Sequence, residues 1–182
     1  MIYAATFILL SIPVILISWK SLKNKMSHGF YRFFSWEAIL LLIIFKIEYW
    51  FTNPFAFHQI VSWLFLIISL WFALAGTSEL KKQGKPTSQR NSPELFTFEK
   101  SSKLVDTGIY RYIRHPLYSS LLFLSWGTFL KNTDWIFLPV VILSNIFLYF
   151  TALADEKECI RYFGNAYAEY TKRTKRFIPF IF

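Results

Sequence analysis

Five apolar runs, each close to the length of a membrane-spanning helix, leave this chain few ways to fold. They cover residues 2–19, 35–51, 58–78, 116–130 and 135–154, against the roughly 17–25 residues that cross a hydrocarbon core about 30 Å thick. The chain is 54% hydrophobic and 21% aromatic but also 17% charged, and the charges fall between the runs. That division predicts an all-α integral membrane protein with about five transmembrane helices; a soluble globule is the weaker reading. The fourth run is short, and only Lys131-Asn132-Thr133-Asp134 parts it from the fifth, so the two form a tight helical hairpin. The first run has no basic residue before it and no small-residue cleavage pattern after it, so it reads as a retained span.

Basic residues set the orientation. Of the 20 Lys and Arg, four lie in residues 20–34, eight in 79–115 and six in 155–182, all on one side of a five-span path. Only Lys131 falls in a loop on the other side, and Lys46 lies inside the second run. The positive-inside rule therefore places the N-terminus outside and both large connections and the C-terminus in the cytoplasm. The net charge of +9 follows from this topology and from attraction to anionic lipids, with no need for nucleic acid. Lys46 and Glu48 lie near the outer end of the second run, where snorkelling to the interface is expected.

A single Cys159 allows neither an internal disulfide nor a cysteine-based zinc site. His28, His58 and His115 are scattered along the sequence, so no metal cluster is visible. Gly, Pro, Ser and Asn in residues 81–93 mark an exposed loop, and Phe96 and Phe98 bring the chain back to the interface. The whole reads as one unit. Residues 1–78 are three N-terminal spans, 79–115 a cytoplasmic connection, 116–154 the hairpin and 155–182 a cytoplasmic tail that completes the site.

Polar chemistry concentrates in two blocks that flank the hairpin. The first, LVDTGIYRYIRHPLY at residues 104–118, carries two arginines, a histidine and three tyrosines directly before an apolar run. Pro116 belongs at the first position of a helix, which puts His115 at its mouth with the ring free to face the cytoplasm. Arg111 and Arg114 add to the positive potential of that helix N-terminus, a place for a carboxylate or phosphate. In the second block Glu156, Ile160, Phe163, Tyr167 and Tyr170 recur at helical spacing, so a carboxylate shares an aromatic stripe. A helix is expected to leave the bilayer here and to break at Gly164-Asn165. A buried carboxylate needs a partner, for which Arg111, Arg114, Arg176 or a cationic ligand are candidates.

Leu104-Val105, Gly108, Tyr110-Arg111, Arg114-His115-Pro116 and Tyr118, followed by Asp155-Glu156, Phe163-Gly164, Tyr167, Tyr170 and Arg176-Phe177-Ile178-Pro179, resemble the integral-membrane methyltransferases of the isoprenylcysteine carboxyl methyltransferase and phospholipid methyltransferase superfamily. The resemblance covers roughly the C-terminal half. It implies an enzyme that binds S-adenosylmethionine without a Rossmann domain, in a cytoplasm-facing pocket reached from the membrane by a lipophilic acceptor. On the matching positions it implies donor-binding roles for Val105, Gly108, Tyr110, His115, Tyr118, Asp155, Glu156, Tyr167 and Tyr170, and catalytic roles for Arg176 and Glu156. Asp155 stands where the family usually has another Glu. Carboxylates and aromatic faces suit a sulfonium donor, and Arg176 suits an acceptor carboxylate. Residues 84–88, GKPTS, depart from the element usual in prenylcysteine-methylating members. An isoprenylcysteine carboxyl O-methyltransferase-like activity is the leading expectation. Phospholipid N-methylation, small-thiol S-methylation and a non-enzymatic membrane protein that keeps the hairpin are the alternatives.

Overall fold

The computed structural model describes residues 1–85 and 100–181. Six α-helices follow one another: α1 (Ile2–Leu22), α2 (His28–Lys46), α3 (Phe57–Gln83), α4 (Pro116–Phe129), α5 (Leu138–Phe163) and α6 (Asn165–Arg173). Short 3-10 turns at Ile47–Tyr49, Gly108–Arg111 and Trp135–Phe137 join them. The extended backbone forms a parallel bridge, Ile113 with Lys175.

The helices expose many large apolar residues and bury many small or polar ones beside their apolar core, unlike a water-soluble bundle. On α3 the exposed residues include Ile60, Leu64, Ile67, Trp71 and Leu74, at alternating steps of four and three, whereas the buried ones include Gln59, Ser62, Ser69 and Gly76. Without a hydrophobic force between helices in lipid, close backbone approach and hydrogen bonds must hold them together. Ser62 donates to the Gly127 carbonyl at 2.6 Å and Ser69 to that of Ser120 at 2.7 Å, pairing α3 with α4. A Cβ on Gly127 would meet Leu66 at 2.9 Å. The second pair is α2 with α5, where Ser35 and Ser144 hydroxyls meet at 2.9 Å. Helix α1 packs chiefly on α2, with Ser11 donating to Glu37 at 2.6 Å.

Three helices are long and apolar enough to cross a membrane: Ile2–Leu22, Phe57–Gln83 and Trp135–Phe163. The fourth expected span is the 14-residue α4, shorter than the roughly 17 residues a span needs. The second, α2, carries Arg32, Glu37 and Lys46 along its length. Glu48 is exposed as expected near an end, but Lys46 does not snorkel outward. It is buried, with Nζ 4.2 Å from the centroid of the Phe137 ring.

Loop and turn expectations divide. Helix α3 runs on to Gln83, so the beginning of the loop expected at residues 81–93 is helical. Residues 86–93, with Phe96 and Phe98, lie outside the described residues. The chain leaves at Gly84 and returns beside it: Ser101 Oγ and the Ser102 N–H donate to the Gly84 carbonyl at 2.8 and 2.9 Å. The break at Gly164 is present, with φ +60°, a conformation that glycine adopts at little steric cost.

Candidate functional site

The two polar blocks are zipped together by backbone hydrogen bonds. Arg114 N–H donates to the Lys175 carbonyl at 2.8 Å, Lys175 N–H to that of Tyr112 at 2.9 Å and His115 N–H to that of Arg176 at 3.2 Å. Ser119, one turn into α4, donates its hydroxyl to the Phe177 carbonyl at 2.7 Å. The tail beyond α6 thus runs along residues 112–115, and the last turns of α5 face both. Tyr170 reaches back from α6 to the Tyr110 carbonyl at 2.6 Å.

Glu156 is the hub. Its Oε1 accepts from Arg114 Nε at 2.9 Å and Arg176 Nε at 2.9 Å, and its Oε2 from Arg176 Nη2 at 2.9 Å. The Arg176 pair is a two-pronged fork, the strongest geometry available to a guanidinium and a carboxylate. His115 Nε2 approaches the same Oε1 at 3.2 Å, while its Nδ1 faces Asp155 Oδ2 at 3.5 Å. Tyr118 donates to that Asp155 oxygen at 3.0 Å and stacks on the His115 ring, with centroids 5.2 Å apart.

His115 is therefore not a ring free to face solvent, as the sequence suggested. It is buried because adjacent carboxylates on α5 take both its nitrogens. Burial alone would lower its pKa, but hydrogen bonds to Asp155 and Glu156 win and raise it. Burial would equally raise the acids, yet His115 and Tyr118 hold Asp155, and His115, Arg176 and Arg114 hold Glu156, well below the usual carboxylate range. Burial pushes the Tyr167 and Tyr170 phenols up, so both stay neutral.

Beside this network opens a cleft of about 720 Å³, counting its mouth. Seven of the ten residues given donor or catalytic roles from sequence line it: Val105, Tyr110, His115, Tyr118, Asp155, Tyr167 and Tyr170. Gly108, Glu156 and Arg176 are not in its wall. Gly108 serves the backbone, with φ +56° and Glu79 packed where a Cβ would project. Arg176 instead borders the outer flank of α5, its guanidinium carbon 5.3 Å from the Tyr149 ring centroid. Arg111 is exposed. The expected aromatic stripe is interrupted, since Ile160 is 45% exposed while Tyr167 and Tyr170 turn inward only after the bend at Gly164.

Sequence reasoning gave no site role to several cleft residues, Lys103 and Cys159 among them, and missed one cluster. Lys103 and Cys159 line the wall, and the Cys159 thiol faces Asp155 Oδ1 at 3.6 Å. His28, Asp155 and Glu158 bring three potential metal ligands within 4.8 Å of one another. No spacing in the sequence announces this group, because His28 and Glu158 lie 130 residues apart.

The family model of phospholipid methyltransferases matches residues 57–168. Among curated proteins, the protein-S-isoprenylcysteine O-methyltransferase of Xenopus laevis is 31% identical over 125 residues, which are 66% of this chain and 42% of that protein. Those of Mus musculus and Homo sapiens are each 32% identical, over 106 and 109 residues, covering 56% of this chain and 37% of theirs. The chain thus matches about two fifths of the length of these relatives. No solved structure matches.

Proposed function

The chain belongs to the phospholipid methyltransferase family, and from that premise we propose that it is an S-adenosylmethionine-dependent methyltransferase acting on a lipophilic acceptor at the cytoplasmic membrane face. The observation that carries the reading is the acid–histidine–arginine network beside a tyrosine-lined cleft, built by the same two blocks that carry the family resemblance. Asp155 is held ionised at the cleft wall, with Tyr110, Tyr118, Tyr167 and Tyr170 around it. A sulfonium donor fits a surface of that kind, since both the carboxylate and the ring faces attract cations. When bound, the donor supplies an electrophilic methyl group.

The chain's own residues then have distinct tasks. Asp155 and the tyrosines bind and orient the donor, and the apolar walls of the cleft exclude water. Glu156, already accepting three N–H donors, is a poor base and acts as the anchor that aims Arg114, Arg176 and His115. Arg176 stands between this anchor and the outer flank of α5, where Tyr149 and Phe150 are exposed. From there it can grip an acceptor carboxylate arriving along the bilayer, which favours O-methylation of an isoprenylcysteine-like acid. The relatives named as protein-S-isoprenylcysteine O-methyltransferases support that choice. Phospholipid N-methylation is the second reading, favoured by the description of the matching family. We take the N-terminus to lie outside and the site to lie inside, on the distribution of basic residues.

Calorimetry on the detergent-solubilised protein tests the donor. S-adenosylmethionine should bind saturably, Asp155→Asn should weaken binding by roughly tenfold as a buried charge partner is lost, and donor should shield Cys159 from iodoacetamide. A folded wild type that neither binds nor is shielded rejects the proposal. Transfer of labelled methyl to a farnesylated cysteine, but not to phosphatidylethanolamine, would then separate the two acceptors.

A further inference from the structure

The family match begins at residue 57, so α1 and α2 lie outside it, yet α2 delivers a histidine to the edge of the acid pair. His28, the first residue of α2, is fully buried. Its backbone N–H and its ring Nδ1 grip the two oxygens of one carboxylate, Glu158, at 2.9 Å and 2.8 Å. Two donors from one residue on one carboxylate fix both the rotation of the ring and the register of α2 against α5. Peptide dipoles at the start of α2 add to the attraction. Glu158 follows Asp155 by three residues, on the same face of α5.

Three charged groups face the His28 ring: Glu158 and Asp155 from α5, and Arg32 from the next turn of α2. Burial and Arg32 oppose its protonation, but the two carboxylates outweigh them and raise its pKa. When protonated, the ring in turn helps to hold Asp155 ionised. Nε2 of His28 is buried without a hydrogen-bond partner, so the ring reaches Asp155 through space. A bound cation is the competing use of this cluster. Both Glu158 oxygens are already committed to His28, however, and Asp155 accepts from Tyr118 and lies against His115 and Cys159. A metal would have to break those contacts.

We propose that the His28–Glu158 clamp positions Asp155, which makes the N-terminal helix pair a working part of the donor site. His28 touches neither donor nor acceptor and acts only through Asp155, so it is a positioning residue. The inference rests on the donor-site reading above and extends it to helices that the family match does not include.

The test compares His28→Ala, His28→Asn and Glu158→Gln in the full-length protein. One readout is S-adenosylmethionine affinity; the other, which needs no donor, is the alkylation rate of Cys159, whose thiol faces Asp155 at 3.6 Å. His28→Ala should weaken donor binding by roughly tenfold and alter the alkylation rate by about threefold or more, because thiol reactivity follows the local charge. His28→Asn, whose amide can replace the Nδ1–H donor but not the ring's charge, should restore the clamp and most of the donor affinity while the alkylation rate stays altered. A clamp that only holds helices together would lower the melting temperature while both readouts stayed at wild type, and that result overturns the proposal. If wild type binds no donor, the donor reading falls and the alkylation rate alone decides: a wild-type rate in His28→Ala rejects the clamp. Thermal stabilisation by added Zn²⁺ that His28→Ala abolishes would replace the ion pair with a metal site.

Discussion

Single residues carry sharply different loads within the network. Removing the charge of Glu156 strands Arg114, whose side chain is 8% exposed, together with Arg176 and His115. Breaking a buried pair in this way costs about 3–5 kcal/mol, so Glu156→Gln should lower thermal stability in detergent far more than Asp155→Asn, whose first loss is donor affinity. Equal melting temperatures for the two variants would contradict this division. The pH dependence follows from the same groups. Asp155 and Glu156 are depressed, so their contribution is present above about pH 4, the ordinary carboxylate value, and drains away as pH falls through the folded values. His115 and His28 are raised, so theirs is complete below 6.5 and is lost as pH rises through the folded values. Melting temperature should therefore decline on both sides of a mildly acidic plateau, and His115→Gln should flatten the alkaline side to the part left by His28. The candidate residues were legible one by one because arginines, a histidine and tyrosines crowd the edge of an apolar run. Their pairing was only half legible. The cost of burying a carboxylate offered Arg111, Arg114, Arg176 or a cationic ligand as partners for Glu156, of which Arg114 and Arg176 take the place, but it could not show that His115 turns inward, since two carboxylates on another helix decide that.

At the level of elements, the hairpin, the helix break and the extended tail follow from local chemistry. Four polar residues are too few for anything but a tight turn between α4 and α5, and Pro116 starts α4 as expected. Helix α4 stops short of a full span because the apolar run includes the turn at Leu130, where hydrogen bonds pass to Trp126 and Thr128 carbonyls. What spacing does not reveal is the knot at the end of the bundle away from the site. Gln59, fully buried at the start of α3, donates to the carbonyls of Tyr49 at 2.7 Å and Lys131 at 2.9 Å and accepts from Lys131 Nζ at 3.2 Å. That ammonium lies 3.5 Å from the centroid of the Trp63 ring, and burial pushes its pKa down to about 8. An amide and a lysine 72 residues apart thus tie the α2–α3 connection to the hairpin. Gln59→Leu leaves two carbonyls and an ammonium short of partners, at about 1–3 kcal/mol for such a buried loss. Thermal melts should show that drop with donor affinity unchanged, because the knot is remote from the cleft. A fall in affinity would mean that the two ends of the bundle are coupled.

Across the whole molecule, the distribution of cations separates two ends that are chemically unlike. At the site end most lysines and arginines are exposed or paired with acids, as with Arg173 and Asp106 or Lys172 and Glu169. At the other end the two lysines, Lys46 and Lys131, are both buried under aromatic rings. A free cation on a cytoplasmic face is retained by the membrane potential and by anionic lipid, whereas on the opposite face it resists insertion. On the proposed orientation, tucking Lys46 and Lys131 beneath Phe137 and Trp63 takes them out of that contest. This asymmetry agrees with the count of basic residues along the chain and leads to one prediction of orientation. Because Cys159 is the only cysteine, a membrane-impermeant maleimide should leave it unlabelled in intact cells and label it once the membrane is opened. In a Cys159→Ser background, cysteines placed at Asn132 and at Lys172 should behave oppositely, the first labelled from outside and the second only after permeabilisation. Asn132 is half-buried in the α4–α5 turn and Lys172 is exposed on α6. Labelling of Lys172→Cys in intact cells would invert the molecule. It would put the acid pair on the side without cytoplasmic S-adenosylmethionine and remove the proposed donor from its reach.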